Sequence, residues 1–308
     1  MSEITPNTSY VDIVNYDDNP AVDTQYHDLL QNIRQKGKKV GTQLEDTAWT
    51  LFAPGHLKYD LRNGFPLLTE RDLGQASNAS IAELTAFING VHTLEDLVEW
   101  GCPWWKNFIT DEKCMKRGLE PGDFGPGSYG PAYHDFPTPT GASFNQIQAI
   151  VDQIGVNPQL RTHIATTVVP STIFRAPGYE QETVWVPCHG TMLHFRVMDN
   201  DLELHHVQRS ADAPVGLAMN LIQYAALHMV VAKVTGYTPT VYTHTLSDVH
   251  IYDRQEEDVE TILSREPRPF PKALIDSALN DVFAWRKGDI IFEDYDPHPK
   301  MMIDTPSS

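Results

Sequence analysis

Residues 205–236 read HHVQRSADAPVGLAMNLIQYAALHMVVAKVTG, and the change of pattern inside this stretch decides the fold. From Leu217 to Lys233 apolar residues occupy almost every side of the helical period, which predicts a buried helix, and Gly236 supplies its C-terminal stop. Upstream, MLHFRV (192–197), a turn at Asp199-Asn200-Asp201 and LELHHVQ (202–208) alternate as an antiparallel hairpin does. A strand therefore delivers Gln208, Arg209, Ser210 and Asp212 into a turn with Gly216, immediately before a core helix that carries Asn220.

Outward from that junction both element types occur. Tyr26, Leu29, Leu30 and Ile33 have helical spacing within Thr24–Lys38, and Ile81–Ile88, Leu94–Trp100 and Phe144–Ile154 predict further helices. HLKYDLRNGFPLLT (56–69) predicts a strand that ends in a tight turn at Asn63-Gly64, and His163–Val169 predicts another strand. The run EPGDFGPGSYGPAYHDFPTPTG (120–141) is too rich in Gly and Pro for regular structure. Its length and its Tyr129 and Tyr133 suggest a functional loop, against the alternative of an ordered surface loop with packed aromatics. Residues 1–22 are polar without a period and read as a flexible arm, and 23–308 as a single α+β domain undivided by repeats or linkers.

The 308 residues are 41% hydrophobic, enough for a sizeable core. With 23 Lys+Arg against 41 Asp+Glu, the formal charge of -18 repels phosphate backbones and anionic lipid, so neither nucleic acid nor a membrane is an expected partner. A small anionic substrate is compatible, because a few arginines in a cleft hold one phosphate whatever the total charge. Cys102, Cys114 and Cys188 are an odd set without paired spacing, which suggests a reducing compartment rather than a disulfide framework. No basic segment followed by an apolar stretch opens the chain, so a cytoplasmic location is expected. The 13 histidines lack a ligand spacing, and no metal is expected.

Cys188 stands in WVPCHG (185–190), at the expected start of a strand. A thiol becomes a nucleophile in an electropositive, partly exposed site, but a cysteine taken alone is more often an inert buried residue. Arg209 with Ser210 can grip a phosphate. The Asn220 amide can donate and accept toward a pyrimidine edge or can cap neighbouring structure, and the residues alone leave both readings open. In TLSDVHIYDRQ (245–255), which also offers Asp248, His250 and Tyr252 alternate onto one face of a strand, where together they can bind a sugar hydroxyl.

Taken together, NGFPLLT (63–69), AELTAFING (82–90), GDFGPGSYG (122–130), VPCHG, QRSADAPVGLAMN, SDVHIY, SREPRPFPK (264–272) and YDPHP (295–299) resemble the thymidylate synthase superfamily, which includes phage nucleotide hydroxymethylases. The resemblance spans about Tyr26 to Pro299. It implies an α+β fold with an antiparallel-rich mixed sheet packed with helices, one sheet face forming a homodimer interface, and sites shared between subunits. It further implies dUMP as substrate and 5,10-methylenetetrahydrofolate as co-substrate. Cys188 matches the nucleophile that adds to C6 of the uracil, Glu83 the carboxylate that organises water and proton transfer near O4 and C5, and Tyr129 the phenol that assists proton removal at C5. Arg209 and Ser210, with Arg161 from across the dimer, match the phosphate site, Gln208 lies beside them, and His250 and Tyr252 match the deoxyribose contacts. Asn220 reads the base, and Asn in place of the Asp of cytidylate-specific relatives implies uracil. Asp212 and Gly216, with Trp104 or Trp105, match the folate side.

The departures bear on chemistry. GTQLEDTAW (41–49) lacks the arginine of the family's early loop, Arg161-Thr162 replaces paired arginines, and the tail KMMIDTPSS (300–308) is polar at its end. In the family, arginine and tail together latch the site. Closure excludes water and so favours hydride transfer, giving a methyl group and dihydrofolate; water instead gives hydroxymethyl and tetrahydrofolate. A weakened latch predicts a dUMP hydroxymethylase. A thymidylate synthase with a substitute latch and an inactive nucleotide-binding relative are the alternatives.

Overall fold

A computed structural model describes residues 9–42 and 46–305, so parts of both altered latch segments, 43–45 and 306–308, lie outside the described residues. In chain order the strands are β1 (Tyr10–Val11), β2 (Lys38–Gly41), β3 (Thr47–Asp60), β4 (Phe136–Pro137), β5 (Ser143–Phe144), β6 (Ile164–Ala165), β7 (Met192–Met198), β8 (Asp201–Asp212), β9 (Thr238–Tyr252), β10 (Lys272–Asp276) and β11 (Ile290–Glu293). The helices are α1 (Gln25–Lys36), α2 (Gly74–Ile88), α3 (Leu94–Glu99), α4 (Asp111–Met115), α5 (Tyr129–His134), α6 (Gln146–Val156), α7 (Pro170–Ile173), α8 (Ala218–Thr235) and α9 (Glu256–Leu263).

Among the described residues, six strands form a mixed sheet in the order β2-β3-β9-β8-β7-β6. Every pair in it is antiparallel except β8 with β9, which α8 joins as a crossover. The expected α+β fold with an antiparallel-rich mixed sheet is therefore present. The β7–β8 hairpin turns between Met198 and Asp201, with Asp199 in the left-handed region at φ 56°. Helix α8 is buried on nearly all sides, against the sheet below and α2 and α6 above, and ends at Gly236 with φ 79°. The opposite sheet face carries Glu203, His205, Val207, Thr243 and Thr245, half-buried in the single chain.

Three expectations need correction. Residues 1–22 are not an arm throughout: Tyr10 and Val11 pair with Asp276 and Ile275, and Val14 is wholly buried. Two or three apolar residues suffice to dock a sheet edge, a signal too short to show as a period. The run 120–141 contains α5, which tolerates Pro131 because its first turn needs no intrahelical N–H donor, and β4, which pairs with β5 just beyond the run. The strand read over His163–Val169 shrinks to Ile164–Ala165, because Thr166 and Thr167 turn their hydroxyls to the carbonyls of Thr191 and His189.

The Asn63-Gly64 turn follows β3 as expected, and it requires glycine. Gly64 has φ 120°, and a Cβ there would lie 2.6 Å from Phe270 Cβ and 2.9 Å from Phe270 O. Gly64→Ala is expected to destabilise the fold by about 1–3 kcal/mol through this strain. A lowered urea midpoint checks it; an unchanged midpoint would show that the backbone accommodates the methyl.

Candidate active site

Because β8 and β9 run the same way, their C-terminal ends meet at one edge of the sheet. Ser210 lies opposite Asp248 and Asp212 opposite His250. The turn after β8 is a single π-helical turn, Ala213–Leu217, which Asp212 caps by accepting from the Val215 N–H at 3.2 Å. Tyr26 and the buried Arg71 donate to the carbonyls of Ala213 and Pro214, satisfying the irregular backbone. Into this edge come Cys188 from the loop before β7, Glu83 from α2 and Tyr129 from α5.

Cys188 is half-buried in that loop, not on a strand. Its backbone carbonyl accepts from Arg209 N at 2.8 Å, so β8 itself holds the loop. Tyr129 Oη accepts from the Cys188 N–H at 2.8 Å and lies 3.3 Å from Sγ, toward which its own hydrogen can point. Tyr129, expected at C5 of the nucleotide, thus meets the sulfur. The Arg209 guanidinium donates to Pro187 O and Val186 O at 3.2 and 3.3 Å, which keeps a fixed positive charge beside the thiol. Burial pushes the thiol's pKa up, while Tyr129 and Arg209 oppose that shift and the Glu83 charge reinforces it. His189 stacks on Tyr129, bonds Tyr224 Oη at 2.7 Å, and is held by burial at a pKa of about 3.

Both oxygens of Glu83 are engaged. Trp104 and Trp105 donate their indole N–H groups to one, and Gln223 of α8 donates to the other. Burial still dominates and raises this carboxyl to about 7. The folded protein therefore binds that proton more tightly than the unfolded chain. Its stabilising contribution is complete below about 4.5 and is lost as pH rises through about 7.

Asn220 is also buried and doubly held. Its Oδ1 accepts from Gln208 Nε2 at 2.8 Å, and its Nδ2 donates to Gln223 Oε1 at 2.9 Å. Both of its partners are side chains with further bonds of their own, which is more than a helix cap requires. His250 bonds Asp248 at 2.8 Å and packs edge-on against Tyr252 at 5.0 Å. Asp212 accepts from Gln255, and burial raises its pKa. A Cβ on Gly216 would stand 3.9 Å from Asp212 Cβ and 4.0 Å from Asn220 Oδ1, so the missing side chain leaves space shared by these two residues. Trp105 is buried among Phe87, Phe108, Phe124, Tyr129 and Trp185, whereas Trp104 keeps part of its surface exposed. Arg161 is exposed in the loop before β6 and is not brought into this cluster within the chain. Among the described residues no group of three His, Cys, Asp or Glu side chains is placed to hold a metal ion.

Sequence reasoning passed over Gln223 and Gln255, as well as the buried His206, Tyr242 and His244. Gln223 had a readable signal: it lies three residues after Asn220 on an otherwise apolar helix, the spacing at which side chains meet.

Tyr129→Phe removes the hydroxyl that favours the thiolate, so the midpoint of Cys188 alkylation by iodoacetamide is expected to move to higher pH. Cys102 and Cys114 are fully buried and should not contribute. An unmoved midpoint would show that Tyr129 does not act on the thiol.

Residues 24–305, nearly the whole chain and every element of this cluster, match the family described as thymidylate synthase. The chain belongs to the thymidylate synthase family.

Proposed function

We propose that this enzyme, which as a family member transfers a one-carbon unit to C5 of dUMP using methylenetetrahydrofolate, leaves a hydroxymethyl group rather than a methyl group there. Cys188 Sγ adds to C6 of the uracil, and the electron pair of the C5=C6 bond moves toward O4, making C5 nucleophilic. Tyr129 and Arg209 stabilise the thiolate, and Arg209 and Ser210 receive the phosphate, with Arg161 serving the site of a second subunit. His250 and Tyr252 take the sugar hydroxyl. Glu83, poised at about 7, exchanges protons near O4 and C5 close to neutrality. The co-substrate supplies the new carbon. Asp212, the open space at Gly216 and the exposed part of Trp104 suit its pterin, which offers N–H donors and a flat face.

The observation that carries the hydroxymethyl reading is how the tail is held. Asp304 O accepts from Gln255 at 3.0 Å and Asp304 N donates to Asp258 at 3.2 Å, so the tail docks on α9 and its N-terminal flank. No arginine stands anywhere in 41–49 to latch onto it. Across the loop, Asp46 pairs with Arg254 and Lys39 with Asp253, both partly exposed ion pairs of small individual strength. A rim closed by such contacts admits water to the substituent on C5.

Incubation with dUMP and methylenetetrahydrofolate is expected to give hydroxymethyl-dUMP and tetrahydrofolate, read by nucleotide mass and by the absence of dihydrofolate absorbance. Formation of dTMP with equal dihydrofolate would make the enzyme a synthase. Cys188→Ala is expected to abolish turnover while retaining the native circular dichroism and melting profile; measurable turnover by that variant would remove the nucleophile assignment.

A further inference from the structure

An asparagine amide does not by itself choose between uracil and cytosine. Its oxygen and nitrogen have nearly the same shape, so a half-turn of the side chain presents donor and acceptor in either order. Uracil offers the O4 acceptor beside the N3–H donor; cytosine offers an amino donor beside an N3 acceptor. Discrimination needs something that makes one orientation costly.

In this protein a continuous line of buried hydrogen bonds does so. Gly190 N donates to His206 Nε2 at 2.8 Å. A backbone N–H can only donate, so His206 carries its proton on Nδ1, which lies 3.3 Å from Tyr242 Oη. The Tyr242 hydroxyl then points its hydrogen at His244 Nδ1, 2.9 Å away, leaving the His244 proton on Nε2, 2.8 Å from Gln208 Oε1. Gln208 Nε2 donates both to Ser210 O and to Asn220 Oδ1, each at 2.8 Å. From the other side Gln223 Nε2 donates to Ser80 O at 3.2 Å and to Glu83, turning Gln223 Oε1 toward Asn220 Nδ2. The two backbone carbonyls can only accept, so neither glutamine can turn to accommodate a turned asparagine. A flipped Asn220 would set oxygen against oxygen at Gln223 and N–H against N–H at Gln208. His206, Tyr242, His244 and Gln223 are fully buried, so the mismatch would stand away from bulk solvent. Burial also holds His206 well below its usual pKa and His244 at about 3, so neither ring gains the second proton that would break the sequence of donors.

We propose that His206, Tyr242, His244 and Gln223 are positioning residues that lock the Asn220 amide in one orientation and thereby set the preference for a uracil over a cytosine nucleotide. The proposal rests on the reading of Asn220 as the residue that contacts the base. With the lock in place, one Nδ2 hydrogen and one Oδ1 lone pair remain for the ligand, in the order that uracil matches.

The test is the ratio of dissociation constants for dCMP and dUMP, measured by calorimetry on the full-length protein and on Gln223→Met, His244→Phe and His244→Gln. Gln223→Met is expected to lower the dUMP preference by about tenfold, the scale of one hydrogen bond, and His244→Phe to lower it in the same direction by less. His244→Gln retains a donor near the Nε2 position and should keep most of the preference. Equal weakening of both nucleotides, with the ratio unchanged, would overturn the lock while leaving the base contact standing. No preference in the unaltered protein would overturn the base contact, and the lock with it. Should the variants misfold, long-range 1H–15N correlation on histidine-labelled protein decides: neutral His206 protonated on Nδ1 and His244 on Nε2 support the lock, and the reverse tautomers overturn it.

Discussion

The parallel pairing of β8 with β9 is the constraint on which the rest of the molecule depends. In a sheet otherwise built from antiparallel pairs, one parallel pair needs a crossover, and α8 is that crossover. A helix enclosed by a sheet and other helices has no solvent face, which is why its sequence is apolar all round. The same pairing brings the ends of both strands to one edge, so Arg209, Ser210 and Asp212 stand beside Asp248, His250 and Tyr252. It also places His206 directly opposite His244, without which the line of donors to Asn220 would have no middle. Antiparallel pairing of these two strands would send their ends to opposite sides of the sheet and dissolve the site.

Burial gives this edge its chemistry and also restrains it. Desolvation raises the Cys188 thiol's pKa, and the nearby Tyr129 hydroxyl and Arg209 charge work in the other direction. Glu83 is subject to the same desolvation, opposed by two indole N–H groups and an amide, and the balance leaves it near 7. The buried His206 and His244, by contrast, are held below their usual pKa by burial, which suits them to carry direction in a hydrogen-bond line rather than protons.

The sequence was most legible where a long, uniform pattern met a strong stop. The α8 helix, its Gly236 end and the β7–β8 hairpin are of this kind, and the family motifs singled out Cys188, Glu83, Tyr129 and Asn220, whose place in the fold only the structure gives. Short elements were not legible: β1 docks through two residues, β6 is cut to two by threonine hydroxyls that seek carbonyls, and α5 hides among glycines and prolines. The partners of the site residues escaped for a different reason. His206, Tyr242 and His244 look like ordinary inward-facing strand positions until the β8–β9 register is known. The identity of Asn220 also did not reveal its partners, Gln208 and Gln223, or the backbone carbonyls that orient them.

Choice of substrate and choice of product are therefore separable in this architecture. On the proposed reading, the base is read in the core, by an amide whose hydrogen-bond partners are buried. On the same reading, the fate of the C5 substituent depends on water admitted at the rim, where the departures from the family fall at 41–49 and 300–308. Asp46 is held by a partly exposed ion pair with Arg254 and Asp304 by hydrogen bonds to Gln255 and Asp258, beside Met301 and Ile303 packed on the core. Interactions of that kind are individually weak and change readily without disturbing a core. On the proposed reading, the exchange of hydride transfer for hydration needs changes at the rim alone, with Cys188, Glu83 and Asn220 kept as they are.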